Sequence, residues 1–161
     1  MARTKSAPPR AKKDALPETL AFMQLLWAVD HGLRSLSKRM HHELGVTGPQ
    51  RLCLRLIGRN PGTVPSELAA QLHIDRGTLS GILERLVQRD LVRRIPDPED
   101  GRRVQLELTA AGRRYDRETA GTVEAAVRRT LAALPHAKVT AARAVLDVLS
   151  RELVQEDDGD A

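Results

Sequence analysis

Residues 65–109 read PSELAAQLHIDRGTLSGILERLVQRDLVRRIPDPEDGRRVQLELT, and this stretch decides the fold. Its first half predicts two short helices, Pro65 to Leu72 and Arg76 to about Arg89, with a tight break between them. The break, His73-Ile74-Asp75, ends on Asp75, whose carboxylate can accept from an otherwise unpaired N–H of the second helix. Within that helix Leu79, Ile82, Leu83 and Leu86 share one face. Arg76, Gly77, Ser80, Gly81 and Glu84 are left on the other. The period then changes from helical to alternating. Val104, Leu106 and Leu108 point one way while Arg103, Gln105 and Glu107 point the other, as in a half-buried strand. Leu91 to Pro96 is its expected antiparallel partner, and Asp97-Pro98-Glu99-Asp100-Gly101 suits a hairpin tip.

Working outward toward the N-terminus, Leu26, Val29, Leu33, Leu36, Met40 and Leu44 recur three and four apart, closed by Gly45, which predicts one long helix from about 18 to 44. Thr47-Gly48-Pro49 restarts a helix that carries Leu52, Cys53, Leu56 and Ile57 and stops at Asn60-Pro61-Gly62. Toward the C-terminus, Thr109 is expected to cap a long helix running through Val123, Val127, Leu131 and Leu134 to Pro135. A last helix carries Val139, Val145, Leu146, Leu149 and Leu153. The fold class is therefore mainly α with a small β-hairpin wing: a winged helix-turn-helix lobe, 48–109, inside an α-helical frame, 17–44 and 110–155, whose apolar residues exceed what one small domain can cover and are expected to form a dimerisation region. A two-stranded hairpin is marginal alone and must lean on helices or on a ligand such as DNA.

The chain has 161 residues, enough for one domain and too few for two of ordinary size. Its net charge is +5, unevenly spread: +5 on residues 1–13, −4 on residues 151–161 and +4 between. Residues 1–16 read as a basic, weakly ordered tail and 156–161 as an acidic one. The basic start is read as a solvated tail, with an arm for nucleic acid as the alternative. No apolar run reaches membrane-spanning length and no apolar leader core stands near the start, so a cytoplasmic, nucleoid-associated location is expected and no membrane partner. The lone Cys53 excludes an internal disulfide, and its apolar setting predicts a buried, inert thiol.

In order and spacing, several pieces together resemble the MarR family of bacterial transcriptional regulators. They are Gly45-Val46-Thr47-Gly48-Pro49-Gln50, Pro65-Ser66-Glu67-Leu68-Ala69, Asp75-Arg76-Gly77-Thr78-Leu79-Ser80, Leu91-Val92-Arg93-Arg94, Asp97 to Val104, and Leu106 to Gly112. The resemblance covers about residues 45–112. It implies a homodimer that binds a roughly palindromic double-stranded DNA site and usually represses genes near its own. It also implies that Arg102 enters the minor groove and that Asp100 orients it.

The residues themselves suit that role. The outer face of Arg76 to Arg89, with Arg85 on a later turn, would enter the major groove with its N-terminal end nearest the bases. Arg76 can donate a bidentate pair to guanine and Ser80 can bond either base type, whereas Thr78 suits phosphate. Gly77 and Gly81 depart from the bulkier polar residues of the family. They permit close approach but supply no donors, which shifts specificity toward DNA shape and the wing. Arg93, Arg94 and Arg103 on the ribbon, and Gln50 and Arg51 at the start of the second helix, are candidates for the DNA backbone.

For an effector, Met23, Trp27 and His31 on the first helix are the candidate pocket, set against ordinary packing. His31, His41, His42 and Glu43 are a weak metal set, because adjacent histidines on a helix point about 100° apart. No cofactor is expected. The chain has no GxxxxGK[ST], GxGxxG or HExxH, and Gly77-Thr78-Leu79-Ser80-Gly81 places its serine one position too late for a nucleophile elbow, so no enzyme is expected. The competing reading is a nonspecific architectural DNA-binding protein using the same lobe and the basic arm. The ratio of specific to nonspecific affinity separates the two.

Overall fold

The computed structural model describes residues 17–101 and 103–155. The chain divides after Gly32. Taken alone, the described part of the first unit is the beginning of α1 (Glu18–Leu44), a helix whose Leu25 and Trp27 are 67% and 65% exposed. The second unit holds the end of α1 and all other elements: α2 (Gly48–Arg59), α3 (Pro65–Leu72), α4 (Arg76–Gln88), β1 (Val92–Pro96), β2 (Val104–Leu108), a 3-10 turn (Gly112–Asp116), α5 (Val123–Ala132) and α6 (His136–Gln155).

Each boundary in the lobe has a local cause. Thr47 caps α2 by accepting from the Gln50 amide at 3.4 Å, while Gln50 Oε1 accepts from the Thr47 amide at 3.0 Å. α3 ends because His73 adopts a left-handed conformation (φ 52°), with its amide donating to Ala70 O and the Ile74 amide to Ala69 O. α4 ends the same way at Asp90 (φ 52°), with Asp90 N bonded to Val87 O and Leu91 N to Leu86 O. The strands pair antiparallel in the register Val92↔Leu108 to Pro96↔Val104, and Thr63 adds a single bridge to Leu106. That bridge anchors the hairpin to the α2–α3 connection and answers its marginal stability alone. Leu54, Ile57, Leu68, Leu83, Leu86 and Leu106 are fully buried and form the heart of one core.

The long helix expected from Thr109 to Leu134 is not formed as one piece. Thr109 Oγ1 accepts from the Gly112 amide at 2.9 Å, but the chain beyond it forms only the short 3-10 turn Gly112–Asp116. Residues 117–122 are irregular, and Thr122 restarts the helix as α5 by accepting from Ala125 N at 3.3 Å. Three features hold the break. Gly121 sits at φ +75°. The Thr122 hydroxyl donates to Thr119 O, competing with helical bonding. Arg51 reaches across from α2, as described next.

Candidate nucleic-acid interface

Asp75 fixes the start of α4. Its carboxylate accepts from the Thr78 amide at 2.8 Å and from the Thr78 hydroxyl at 2.5 Å. These bonds, the hydroxyl's first, hold the Asp75 carboxyl below the usual carboxylate range. With that end capped, the α4 face bearing Leu79, Leu83 and Leu86 is buried, while Arg76, Gly77, Thr78, Ser80 and Arg85 are exposed. A Cβ at Gly81 would meet nothing within 4 Å, and one at Gly77 only Asp75 Oδ1, at 3.0 Å. The outer face of α4 is thus bare backbone at two positions of one turn.

The hairpin supplies the flank. A groove of about 530 Å³ between α3, α4 and the ribbon is lined by Ser66, Arg76, Ser80, Arg94 and Arg103 among others. Arg76 and Ser80 therefore meet Arg94 and Arg103 around one concave surface. The tip is built on Asp97, whose Oδ1 accepts from the amides of Glu99 (2.8 Å) and Asp100 (3.2 Å) and whose Oδ2 accepts from Gln105 Nε2 at 3.0 Å. The Gln105 bond leads in holding the Asp97 carboxyl low, with the two amides next. Asp100 Oδ2 lies 3.8 Å from Arg103 Nε, an exposed pair of little energetic weight. Arg93 is paired across the ribbon with Glu107 at 2.7 Å. Arg102 lies outside the described residues.

Two expectations fail here. Gln50 and Arg51 are not available to a DNA backbone. Gln50 is buried in the α2 capping box, and Arg51 is 2% exposed, donating to Glu124, to Arg117 O at 2.6 Å and to Thr119 Oγ1 at 3.3 Å. A buried guanidinium needs such partners, and it finds them in the 117–124 segment. Thr78 is exposed, donates its hydroxyl proton to Asp75 and lines a second groove.

That second groove, about 950 Å³, is apolar: Leu33, Leu52, Leu56, Ile74, Ile82 and Val127 form much of its wall. Three ion pairs border it, Arg51 with Glu124, Arg55 with Asp116 at 2.9 Å, and Arg128 with Glu118. α1 contributes Leu33 and Ser37 to it, while Met23, Trp27 and His31 share one exposed face earlier on the helix. Cys53 is wholly buried, and that burial pushes its thiol up to about 12, so it holds its proton at neutral pH. Among the described residues no three His, Cys, Asp or Glu side chains converge as a metal site.

Sequence reasoning missed Asp97, Glu124 and Arg89. Asp97 was readable, since an Asp that opens a Pro- and Gly-containing loop is the ordinary signature of a side chain bonding amides two and three residues on. Glu124 and Arg89 act over 73 and 44 residues of sequence, and no local signal reports such pairs.

Two helices at a tight turn, the second with a bare outer face and flanked by a two-stranded ribbon, define a winged helix-turn-helix protein. Comparison with known proteins places it further: the chain belongs to the MarR family, whose family model matches residues 44–103. The HTH-type transcriptional repressor Rv2887 of Mycobacterium tuberculosis is 32% identical over 110 residues, 68% of this chain and 79% of that protein. The PcaV transcriptional regulator of Streptomyces coelicolor, solved in complex with its natural ligand, superimposes with a TM-score of 0.64 at 26% identity, covering 88% of this chain and 96% of that one. The S. aureus MepR–DNA complex shares the fold, with a TM-score of 0.67 at 19% identity over 82% and 97% of the two chains. No described helix is long and apolar enough to cross a membrane.

Proposed function

We propose that the protein is a homodimeric, sequence-specific DNA-binding regulator that represses its own or neighbouring genes and is released by a small-molecule effector. The observation that carries this reading is the convergence of Arg76 and Ser80 on α4 with Arg94 and Arg103 on the ribbon around one groove. Cations on the ribbon can grip phosphates beside a major groove while the exposed helix, carrying Arg76 and Ser80, reads the bases within it. Because Gly77 and Gly81 offer no donors, direct readout falls on Arg76 and Ser80, and groove shape carries the remainder. Arg102 takes the minor-groove role on the strength of the resemblance. The exposed apolar residues of α1 and α6 supply the dimer contact, and two-fold symmetry then places two α4 helices about one DNA turn, or a small multiple, apart.

The 950 Å³ groove is the effector site of this reading: its wall is apolar, its rim carries ion pairs, and it is bounded by α1, α2, α4 and α5, so its filling bears directly on where α4 lies. Selection of genomic fragments by the purified protein tests the function, with Arg76→Ala and Arg102→Ala in parallel across a salt titration. Enrichment of a few palindromic intergenic sites, weakened in both variants, is the expected result. Uniform binding that fades with salt would identify an architectural protein instead.

A further inference from the structure

The C-terminal end of α1 is held by two side chains from distant elements. The Tyr115 hydroxyl donates to Leu44 O at 3.2 Å, and the Arg89 guanidinium donates to Gly45 O. Gly45 is left-handed (φ +73°), its amide bonded to His41 O, and a Cβ there would lie 2.8 Å from Arg89 Nη2. The guanidinium therefore occupies the space that a side chain at position 45 would need. It also sits at the negative end of the α1 dipole, where a cation is favoured.

Arg89 is itself fixed to α4. It is the capping residue of that helix, and the turn that follows it is locked by the left-handed Asp90 and by the Leu91 N–Leu86 O bond between two buried leucines. The other end of α4 presents Arg76 to the groove. With Gly45 set in one turn and the Arg89 backbone in another, the guanidinium–carbonyl bond favours the tilt of α4 against the end of α1 that keeps it closed.

We propose that Arg89 is a positioning residue: it fixes the angle of the recognition helix against the end of α1 and thereby the separation of the two recognition helices in the dimer. This rests on the operator-binding reading above. Arg89 contacts no base in this role. It acts through the direction it gives to Arg76 and Ser80 at the far end of the same helix.

The test uses the full chain as Arg89→Gln and Arg89→Lys, each also carrying Glu84→Cys as the site of a spin label, Cys53 being buried and protonated. Pulsed dipolar spectroscopy without DNA is expected to give one narrow distance in the Arg89 parent, a broadened or shifted one in Arg89→Gln, and a narrow one again in Arg89→Lys. On DNA, the preference of the unlabelled parent for its operator over the same operator with one base pair inserted between half-sites is expected to fall about ten-fold in Arg89→Gln, at unchanged salt slope.

Equal weakening on both operators with the salt slope reduced by about one would make Arg89 a phosphate contact and overturn the proposal. So would a lowered melting temperature with the parent distance retained, which marks a purely structural contact. Absence of dipolar coupling or of any site preference in the parent would instead refute the dimeric operator reading on which the proposal stands.

Discussion

Asp75 shows how one carboxylate joins local structure to the candidate interface. Its bonds to the Thr78 amide and hydroxyl hold the first turn of α4, the turn that carries Arg76. Because those bonds favour the ionised form, the folded carboxyl titrates below its unfolded value of about 3.9. Its stabilising effect is therefore present above the unfolded value and lost as pH falls through the folded one. Thermal unfolding of Asp75→Ala should start at a lower temperature than the parent at pH 5 to 7, with the gap closing as the pH is taken toward 2. A gap that persists in acid would refute the ionised cap. Gly112 makes a steric prediction: a Cβ there would lie 1.9 Å from Leu91 O, which also accepts from the Thr109 amide. Gly112→Ala should cost about 3 kcal/mol in urea unfolding, the upper end for overpacking, and a cost under about 1 kcal/mol would mean that the strand end yields freely. Arg76, Ser80 and Arg94 are exposed, as the role proposed for them requires. Residue type misled at Gln50 and Arg51, whose chemistry suits a phosphate but whose burial is decided by the 117–124 segment, far away in sequence.

Among the elements, α1 to α4 and both strands were legible because each carries its own start and stop: Thr47, Asp75, Gly45 and the Asn60-Pro61-Gly62 turn act on their immediate neighbours. The last helix was legible too, whereas the stretch from Thr109 to Thr122 was not, since no proline or strong stop within it separates it from the helical spacing of Val123, Val127 and Leu131. Gly121 alone is a weak breaker, worth about 1 kcal/mol against a helix. The decision is made from α2, where Arg51 donates to Arg117 O and Thr119 Oγ1 and pairs with Glu124 in the first turn of α5. A cation nearly removed from water tolerates only a surrounding that satisfies it, so residues 117–124 wrap it with carbonyl, hydroxyl and carboxylate oxygens. Arg51→Ala should then destabilise the chain by about 1–3 kcal/mol in urea unfolding, because Arg117 O and Thr119 Oγ1 lose their donor while the partly exposed Glu124 can turn to water, and Arg51→Met, which fills the space with apolar volume, should cost clearly less. Equal losses in both variants would make shape, not charge, the reason for the break. Glu124 also lines the apolar groove, so the same contact joins that groove to the path of the chain into α5.

At the scale of the whole molecule, the apolar surface is unevenly disposed. The lobe buries most of its leucines, whereas α1 exposes Leu25, Trp27 and Val29, and α6 exposes Val145, Leu146, Val148 and Leu153, the last at 62%. Single exposed apolar residues are ordinary, but a helix that leaves this many uncovered needs a partner surface, and burial at about 25 cal/mol per Å² rewards finding one. The dimer proposed above covers them, and it makes DNA affinity depend on association: each chain grips one half-site, so two joined chains gain from both. Leu146→Glu places a charge on the exposed face of α6, where it has no packing role within its own chain. The variant is expected to sediment at the chain mass where the parent sediments at twice it, and to keep the far-ultraviolet signature of the folded lobe. Its affinity for the full operator should drop by a factor on the order of 10³. Its salt slope should fall to about half, because one lobe instead of two displaces counterions. Should the variant remain dimeric with parental affinity, the face around Leu146 lies outside the subunit contact. Should it become monomeric yet bind the operator as tightly as the parent, one lobe suffices for recognition and the two-fold arrangement of recognition helices is wrong.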